Sequence, residues 1–433
     1  MDKKVVSIFW FRRDLRLEDN VGLQLALKSA FPVLPVFIFD RNILDKLSTA
    51  DRRASFIYDT IEKLKAQLET LGCSLYTIYK TPIEAFRILC AEFDVREVFT
   101  NHDYEPYAKE RDGAIAELLN VNHIPFTTCK DQVIFEKDEI VKGDGKPYTV
   151  FTPYSIKWKQ KFYSQKLNEY EPVDISPLLL KVAPFPLPTL EAMGFTKASS
   201  LIPPPTLDEK LIANYDQTRD IPSLNGTSKL GVHLRFGTIS IRKAVQMASN
   251  LNGTWLNELI WREFFMMILF HYPHVVSSCF KSKYERIPWR NNEEEFERWC
   301  KGETGYPIVD AGMRELNTTG FMHNRVRMVV AGFLTKHLLI DWRWGEAYFA
   351  ERLMDYELAS NNGNWQWAAG CGCDAAPYFR IFNPHAQTTK FDPKGIYIRK
   401  WIDDFDNYHI PLIIEHDVAR KRALAVFSKA LNE

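Results

Sequence analysis

The first 130 residues alternate short β-rich apolar runs with segments of helical spacing, and that alternation is what most restricts how this 433-residue chain folds. Val5 to Phe11 reads as a buried strand that ends at once in the polar Arg12, Arg13, Asp14 and Arg16. An apolar run from Pro32 to Phe39 follows, then helical spacing from Arg52 to Leu71, a strand at Ser74 to Tyr79, a helix at Ile83 to Phe93 and a strand at Glu97 to Asn101. Strand and helix in turn specify a parallel sheet covered on both faces. Such sheets take ligands at the carboxyl ends of their strands, so Arg12, Arg13, Asp40 and the segment from Asn101 to Arg111 are expected at any crevice. No GxGxxG follows the first strand, and a tightly gripped dinucleotide is not expected in this half.

From Asp131 to about Pro205 the pattern loses periodicity and gathers prolines, closing on Ile202-Pro203-Pro204-Pro205. It reads as a connection between domains. Tyr148, Phe151, Tyr154, Trp158, Phe162 and Tyr163 give it apolar surface to lay against a neighbour. Beyond it the strand pattern disappears, and segments around 238–250, 254–271, 307–318, 322–340 and 344–358 carry helical spacing. The expected architecture is α/β: an amino-terminal Rossmann-like parallel-sheet domain over 1–130, a connection over 131–205 and an all-helical domain over 206–433.

No run of 18 or more apolar residues exists, and the start MDKKVVSIFWFRRD turns charged before a signal-peptide core completes itself, so neither a membrane span nor export is expected. A reducing, cytoplasmic setting suits seven cysteines that form no CxxC pair. Cys371 and Cys373, the close pair, read as small-residue packing, and no metal site is expected. Formal charge is zero, so binding to nucleic acid requires a local basic patch.

In the helical half, Glu258, Trp261 and Arg262 stand at i, i+3 and i+4, and Asn324, Arg327 and Met328 repeat that spacing. Each has an ordinary packing or surface-pair reading. Together they look like opposite walls of a pocket for a flat, hydrogen-bonding ligand. Gly226-Thr227-Ser228-Lys229-Leu230-Gly231 suits phosphate oxygens, or simply opens a helix. Arg327 is expected to pair with an acid of Asp355-Tyr356-Glu357. The stretch from Asp355 to His385 gathers Asn361, Asn362, Trp365, Trp367 and a Gly-rich run with little helix patterning, which specifies more than core packing.

Phe11 through Arg16, Trp255 through Phe264, Gly305 through Asp310, Met322 through Met328 and Asn361 through Pro384 together resemble the DNA photolyase and cryptochrome flavoproteins. The likeness is greatest to a class I cyclobutane pyrimidine dimer (CPD) photolyase. That resemblance implies an antenna domain followed by a helical domain holding FAD. Contacts to FAD fall on Tyr215, Thr227, Ser228, Lys229, Leu230, Gly231, Trp255, Arg327, Asp355, Tyr356 and Glu357, with Asn361 matching the residue that faces flavin N5. The implied activity is a deoxyribodipyrimidine photo-lyase acting on UV-damaged DNA by blue-light-driven electron transfer from reduced FAD. A cryptochrome-type photoreceptor without repair activity is the alternative.

The resemblance also assigns the catalytic and electron-transfer side chains. Trp261 and Trp367 match the walls that receive a flipped dimer, with Met328 alongside. Glu258 matches the acid on the dimer's base edge, and Asn324 bonds the same lesion. Trp365, Trp342 and Trp299 match the chain that carries an electron inward from the surface. Contacts to DNA fall on Arg219, Glu258, Trp261, Arg262, Asn324, Arg325 and Trp367, with the basic run from Lys281 to Arg290 beside them. Asn324 and Met328 stand where (6-4) photolyases carry a histidine pair. Glu357 replaces the usual aspartate, and Asn364 a common glycine. The segment from Tyr104 to Asp112 resembles the antenna loop, leaving 8-hydroxy-5-deazaflavin or methenyltetrahydrofolate open as a second chromophore. The protein is expected to act as a monomer.

Overall fold

The computed structural model describes residues 3–165, 174–198 and 202–432. It divides into two compact units. The first comprises Met1–Glu136, Lys161–Thr206 and Leu230–Gln246; the second comprises Lys137–Gln160, Leu207–Lys229 and Met247–Glu433.

The first unit is built on five parallel strands, β1 (Val5–Phe11), β2 (Val33–Asp40), β3 (Tyr76–Lys80), β4 (Asp94–Asn101) and β5 (Phe126–Cys129), in the order β3-β2-β1-β4-β5. Strand side chains alternate between faces, and the apolar runs feed two cores accordingly. Ile8, Trp10, Val36 and Ile38 enter one cluster with Phe86 and Leu89. Phe9, Phe11, Phe37 and Phe39 enter the other with Leu64 and Leu68. The helices Arg52–Thr70, Pro82–Glu92 and Pro106–Val121 supply the covers. Sequence periodicity did not reveal β5, whose four residues alternate too briefly to register.

The second unit is helical. Its main elements are Gly253–His271, Pro307–Thr319, Asn324–Gly332, Trp342–Arg352 and Leu358–Ala369. Two expectations need correction. The segment after Asp131 is not irregular throughout, since Phe151–Ser164 is a helix. Pro153 disguises it, yet proline in a first turn removes no hydrogen bond. The run from Leu358 also forms a regular helix. It lacks a single apolar stripe because each face meets different chemistry. Parts of the expected connection, 166–173 and 199–201, lie outside the described residues.

A five-residue π turn, Phe333–His337, follows the Asn324–Gly332 helix and buries Lys336. Its Nζ donates to the Ala369 carbonyl at 2.6 Å and sits 3.7 Å from the Phe427 ring centroid. Burial pushes this ammonium down to about 7 from 10.5. Between those values the unfolded chain holds a proton that the folded chain lacks, so the group's contribution to stability rises as pH increases across that window. Lys336→Met is expected to remove that rise, so that melting temperature climbs less from about pH 6 to about pH 9 than in the parent protein. Parallel pH curves for the two proteins would refute it.

Candidate functional site

The Leu358–Ala369 helix lines a cavity, partly open to solvent, through Ser360, Asn361, Asn364, Trp365, Trp367 and Ala368. Asn324, Arg327 and Met328 line it from the Asn324–Gly332 helix, and Asp355, Tyr356 and Glu357 from the turn before the Leu358–Ala369 helix. Much of the set expected to hold FAD is thus gathered in one place. Arg327 pairs with Asp355 at 2.9 Å, and its Nε donates to the Met322 carbonyl at 2.7 Å. Asn364 keeps ordinary helical geometry, its amide donating to the Ser360 carbonyl at 2.8 Å, so the position does not need glycine.

Asn361 is the most constrained polar group in this wall. Its amide nitrogen donates to the Glu346 carboxylate at 2.8 Å and to the Glu346 carbonyl at 3.1 Å. With the nitrogen so committed, the amide oxygen is the acceptor this residue brings to the cavity it lines. Glu346 is mostly buried, and burial raises its carboxyl above the usual range, against the opposing pull of Asn361. Sequence reasoning missed Glu346, because nothing in its spacing connects it to a residue fifteen positions later on another helix. The back of the same helix is also committed. Asn362 donates to the Val275 carbonyl at 2.9 Å, and Gln366 donates to Val275 and Ser278 while accepting from the Phe280 amide at 2.8 Å.

Glu258 and Trp261 lie on the Gly253–His271 helix and are not among the residues lining this cavity. Glu258 pairs with Arg219 at 2.5 Å, and burial raises its carboxyl while Arg219 opposes the rise. Asp220 accepts from Arg325 at 2.6 Å, and Arg325 reaches Met328 Sδ at 3.6 Å. Alternating charges therefore lead from Glu258 toward the cavity edge. Arg219 also covers the Tyr215 ring at 5.3 Å. Arg262, expected to contact DNA, pairs with Glu357 at 2.9 Å, and their side chains are only 11% and 5% exposed. A buried carboxylate requires such a cation, and this one is turned inward to supply it.

Trp255 begins the Gly253–His271 helix, where the Asn252 side chain accepts from the Thr254 and Trp255 amides and donates to Asp216 at 2.7 Å, tying Trp255 to the turn of Tyr215. Thr227, Ser228 and Lys229 belong to the helical unit; burial raises the Glu315 carboxyl, and Lys229, at φ +53°, is among the groups that oppose that rise. Leu230 and Gly231 belong to the sheet unit, where Gly231 opens a short helix.

The three tryptophans of the expected chain lie in one core cluster. Trp365 meets Trp299 edge-on at 6.2 Å, and Trp342 shares their core cluster. Trp299 is 0% exposed and donates its indole N–H to the Val330 carbonyl. Trp289, Trp344 and Trp401 are the partly buried indoles packed on the same cluster.

At the strand ends of the sheet unit, Arg12 pairs with Asp112, and Arg13 pairs with Asp103 and Glu105 at 3.1 and 3.0 Å. The Tyr107 hydroxyl donates to Asp40 at 2.5 Å, and Arg111 covers the Trp10 ring at 5.0 Å. These are the residues expected to rim a crevice.

A family model described as the FAD binding domain of DNA photolyase matches residues 255–429, and one described as DNA photolyase matches residues 7–174. A deoxyribodipyrimidine photo-lyase of Synechococcus sp. is 36% identical over 438 residues, covering 95% of this chain and 90% of that protein. A bacterial class III photolyase from Agrobacterium tumefaciens superposes with a TM-score of 0.84 at 31% identity, covering 100% of this chain and 99% of the other. An archaeal photolyase from Sulfolobus tokodaii, solved with two FAD molecules, superposes with a TM-score of 0.82 at 32% identity, covering 98% of this chain and all of the other. Among the described residues no helix is long and apolar enough to cross a membrane. With matches at both ends and relatives spanning nearly its whole length, the chain belongs to the DNA photolyase family.

Proposed function

We propose that this protein is a deoxyribodipyrimidine photo-lyase that repairs cyclobutane pyrimidine dimers in UV-damaged DNA. The observation that carries the reading is the fixed Asn361 amide at the cavity wall, whose nitrogen is committed to Glu346 and whose oxygen is the acceptor that remains. A flat ring with an N–H at its edge fits that acceptor, and the Arg327–Asp355 pair supplies charge of both signs beside it. When bound, reduced FAD supplies the light-driven electron that splits the dimer. The chain's own side chains do the rest: Asn361 and the Arg327–Asp355 pair orient the coenzyme, while Trp261 and Trp367 present flat faces to the flipped bases.

Glu258 takes the base edge in this reading. Its carboxyl, raised by burial against the pull of Arg219, is the polar group this reading sets at the base edge. Engaging the lesion requires Glu258 to release Arg219. Glu258→Ala is expected to lower repair yield severalfold while FAD content stays at the parental level; an unchanged yield removes Glu258 from the mechanism. Repair itself is tested by illuminating reduced protein with a UV-irradiated oligonucleotide. Recovery of base absorbance near 260 nm, roughly complete at long exposure, is the expected result, since saturated dimer rings regain their aromatic bands. No recovery with FAD bound favours the photoreceptor alternative.

The same reading makes residues 1–130 the antenna domain and 206–433 the catalytic domain. The charged rim at the β1 and β4 ends is where a second chromophore docks, with 8-hydroxy-5-deazaflavin and methenyltetrahydrofolate as candidates, and absorption bands of the purified protein beyond those of FAD distinguish them. The protein acts as a cytoplasmic monomer, a setting consistent with seven free thiols.

A further inference from the structure

Phe151 lies flat against Trp261, with ring centroids 3.7 Å apart and planes within 5°. Direct face-to-face overlap is not the arrangement two neutral rings choose for themselves, since offset or edge contacts suit their quadrupoles better. Trp261's neighbours on its own helix, Phe264 and Phe265, meet it at 5.5 and 5.4 Å with ring planes at 84° and 31°. The overlap is therefore imposed by how Phe151 is held.

That hold comes from the part of the 355–385 stretch that neither the cavity nor the tryptophan chain uses. The Phe151 amide donates to the Asp374 carboxylate at 3.0 Å, and the Asp374 amide donates back to the Thr149 carbonyl at 3.2 Å. Asp374 adopts φ +30° to make both bonds. Its carboxylate meets the first turn of the Phe151–Ser164 helix, where negative charge is favoured. Further along that helix, the Trp158 indole donates to the buried Glu263 carboxylate at 2.5 Å. The helix is thus pinned to the Gly253–His271 helix by a second contact, and Phe151 is 9% exposed.

We propose that Phe151 and Asp374 are positioning residues for lesion recognition: Asp374 anchors the Phe151 backbone, and the Phe151 ring fixes the plane of Trp261 so that the opposite indole face receives the flipped bases. This rests on the assignment of Trp261 as a lesion wall.

The test is the affinity of FAD-loaded protein for an oligonucleotide carrying one thymine dimer, measured against the undamaged strand. Phe151→Ala and Asp374→Ala are each expected to weaken dimer binding roughly tenfold, the scale of losing one base-stacking contact. FAD content and affinity for undamaged DNA should stay at parental values. Phe151→Tyr should restore binding. A double-mutant cycle separates this role from general support of the fold, because Phe151→Ala added to Trp261→Ala should cost nothing further. If Trp261→Ala itself leaves dimer binding intact, the wall assignment fails. If Trp261→Ala weakens binding but Phe151→Ala does not, or if the two losses simply multiply, the positioning role fails. Should Phe151→Ala not fold, Phe151→Leu keeps the bulk while removing the flat ring, and parental binding by that variant counts against the proposal.

Discussion

Trp365→Phe is expected to abolish light-driven reduction of the bound flavin while dithionite-reduced protein still repairs dimers. Trp365 lines the cavity and also meets Trp299 edge-on in the core, so under the proposed function it is the indole that joins the two. A phenyl ring fills most of the same space but is far harder to oxidise, which breaks the relay without opening a large hole. The measurement is flavin absorbance under blue light with an external reductant, followed by repair after chemical reduction. Photoreduction at the parental rate would mean that the electron enters by another route.

Gly345→Ala is expected to damage the same relay by moving Trp365 instead of replacing it. A Cβ on Gly345 would lie 2.1 and 2.4 Å from two Trp365 ring carbons and 2.6 Å from a Leu334 methyl. Those atoms belong to a close-packed core in which Trp365 is 2% exposed, so the indole must shift. Overpacking of this kind costs about 1–3 kcal/mol. The melting temperature should fall by about 2–4 °C for each kcal/mol lost. Photoreduction should slow in parallel. A variant that melts and photoreduces like the parent would show that the core yields at this point more easily than its packing implies.

The sheet was legible because its strands are buried on both faces and therefore read as continuous apolar runs, such as Val33 to Phe39. The helical half was legible from spacing, except where function overrides patterning. Leu358–Ala369 is the clearest case, since Asn361, Asn362, Gly363 and Gln366 each answer to a different partner and leave no apolar stripe. Motif likeness placed Arg327, Asp355 and Asn361 in one cavity, yet it gave no sign of Glu346, Asp374 or Gly345. Those act across helices distant in sequence, through contacts that periodicity does not encode. The burial of Trp299 and the inward pairing of Arg262 with Glu357 were likewise invisible, because residue type and spacing do not report depth.

The Leu358–Ala369 helix also bears on how this protein can be changed. A Cβ on Gly363 would fall 2.2 Å from the Phe265 ring, so the helix rests directly on its neighbour there, while Asn362 and Gln366 stitch it to the loop between Val275 and Phe280. Transplanting it into another scaffold would carry a working coenzyme wall only if that loop and the ring beneath Gly363 travelled with it, making the three segments one heritable module.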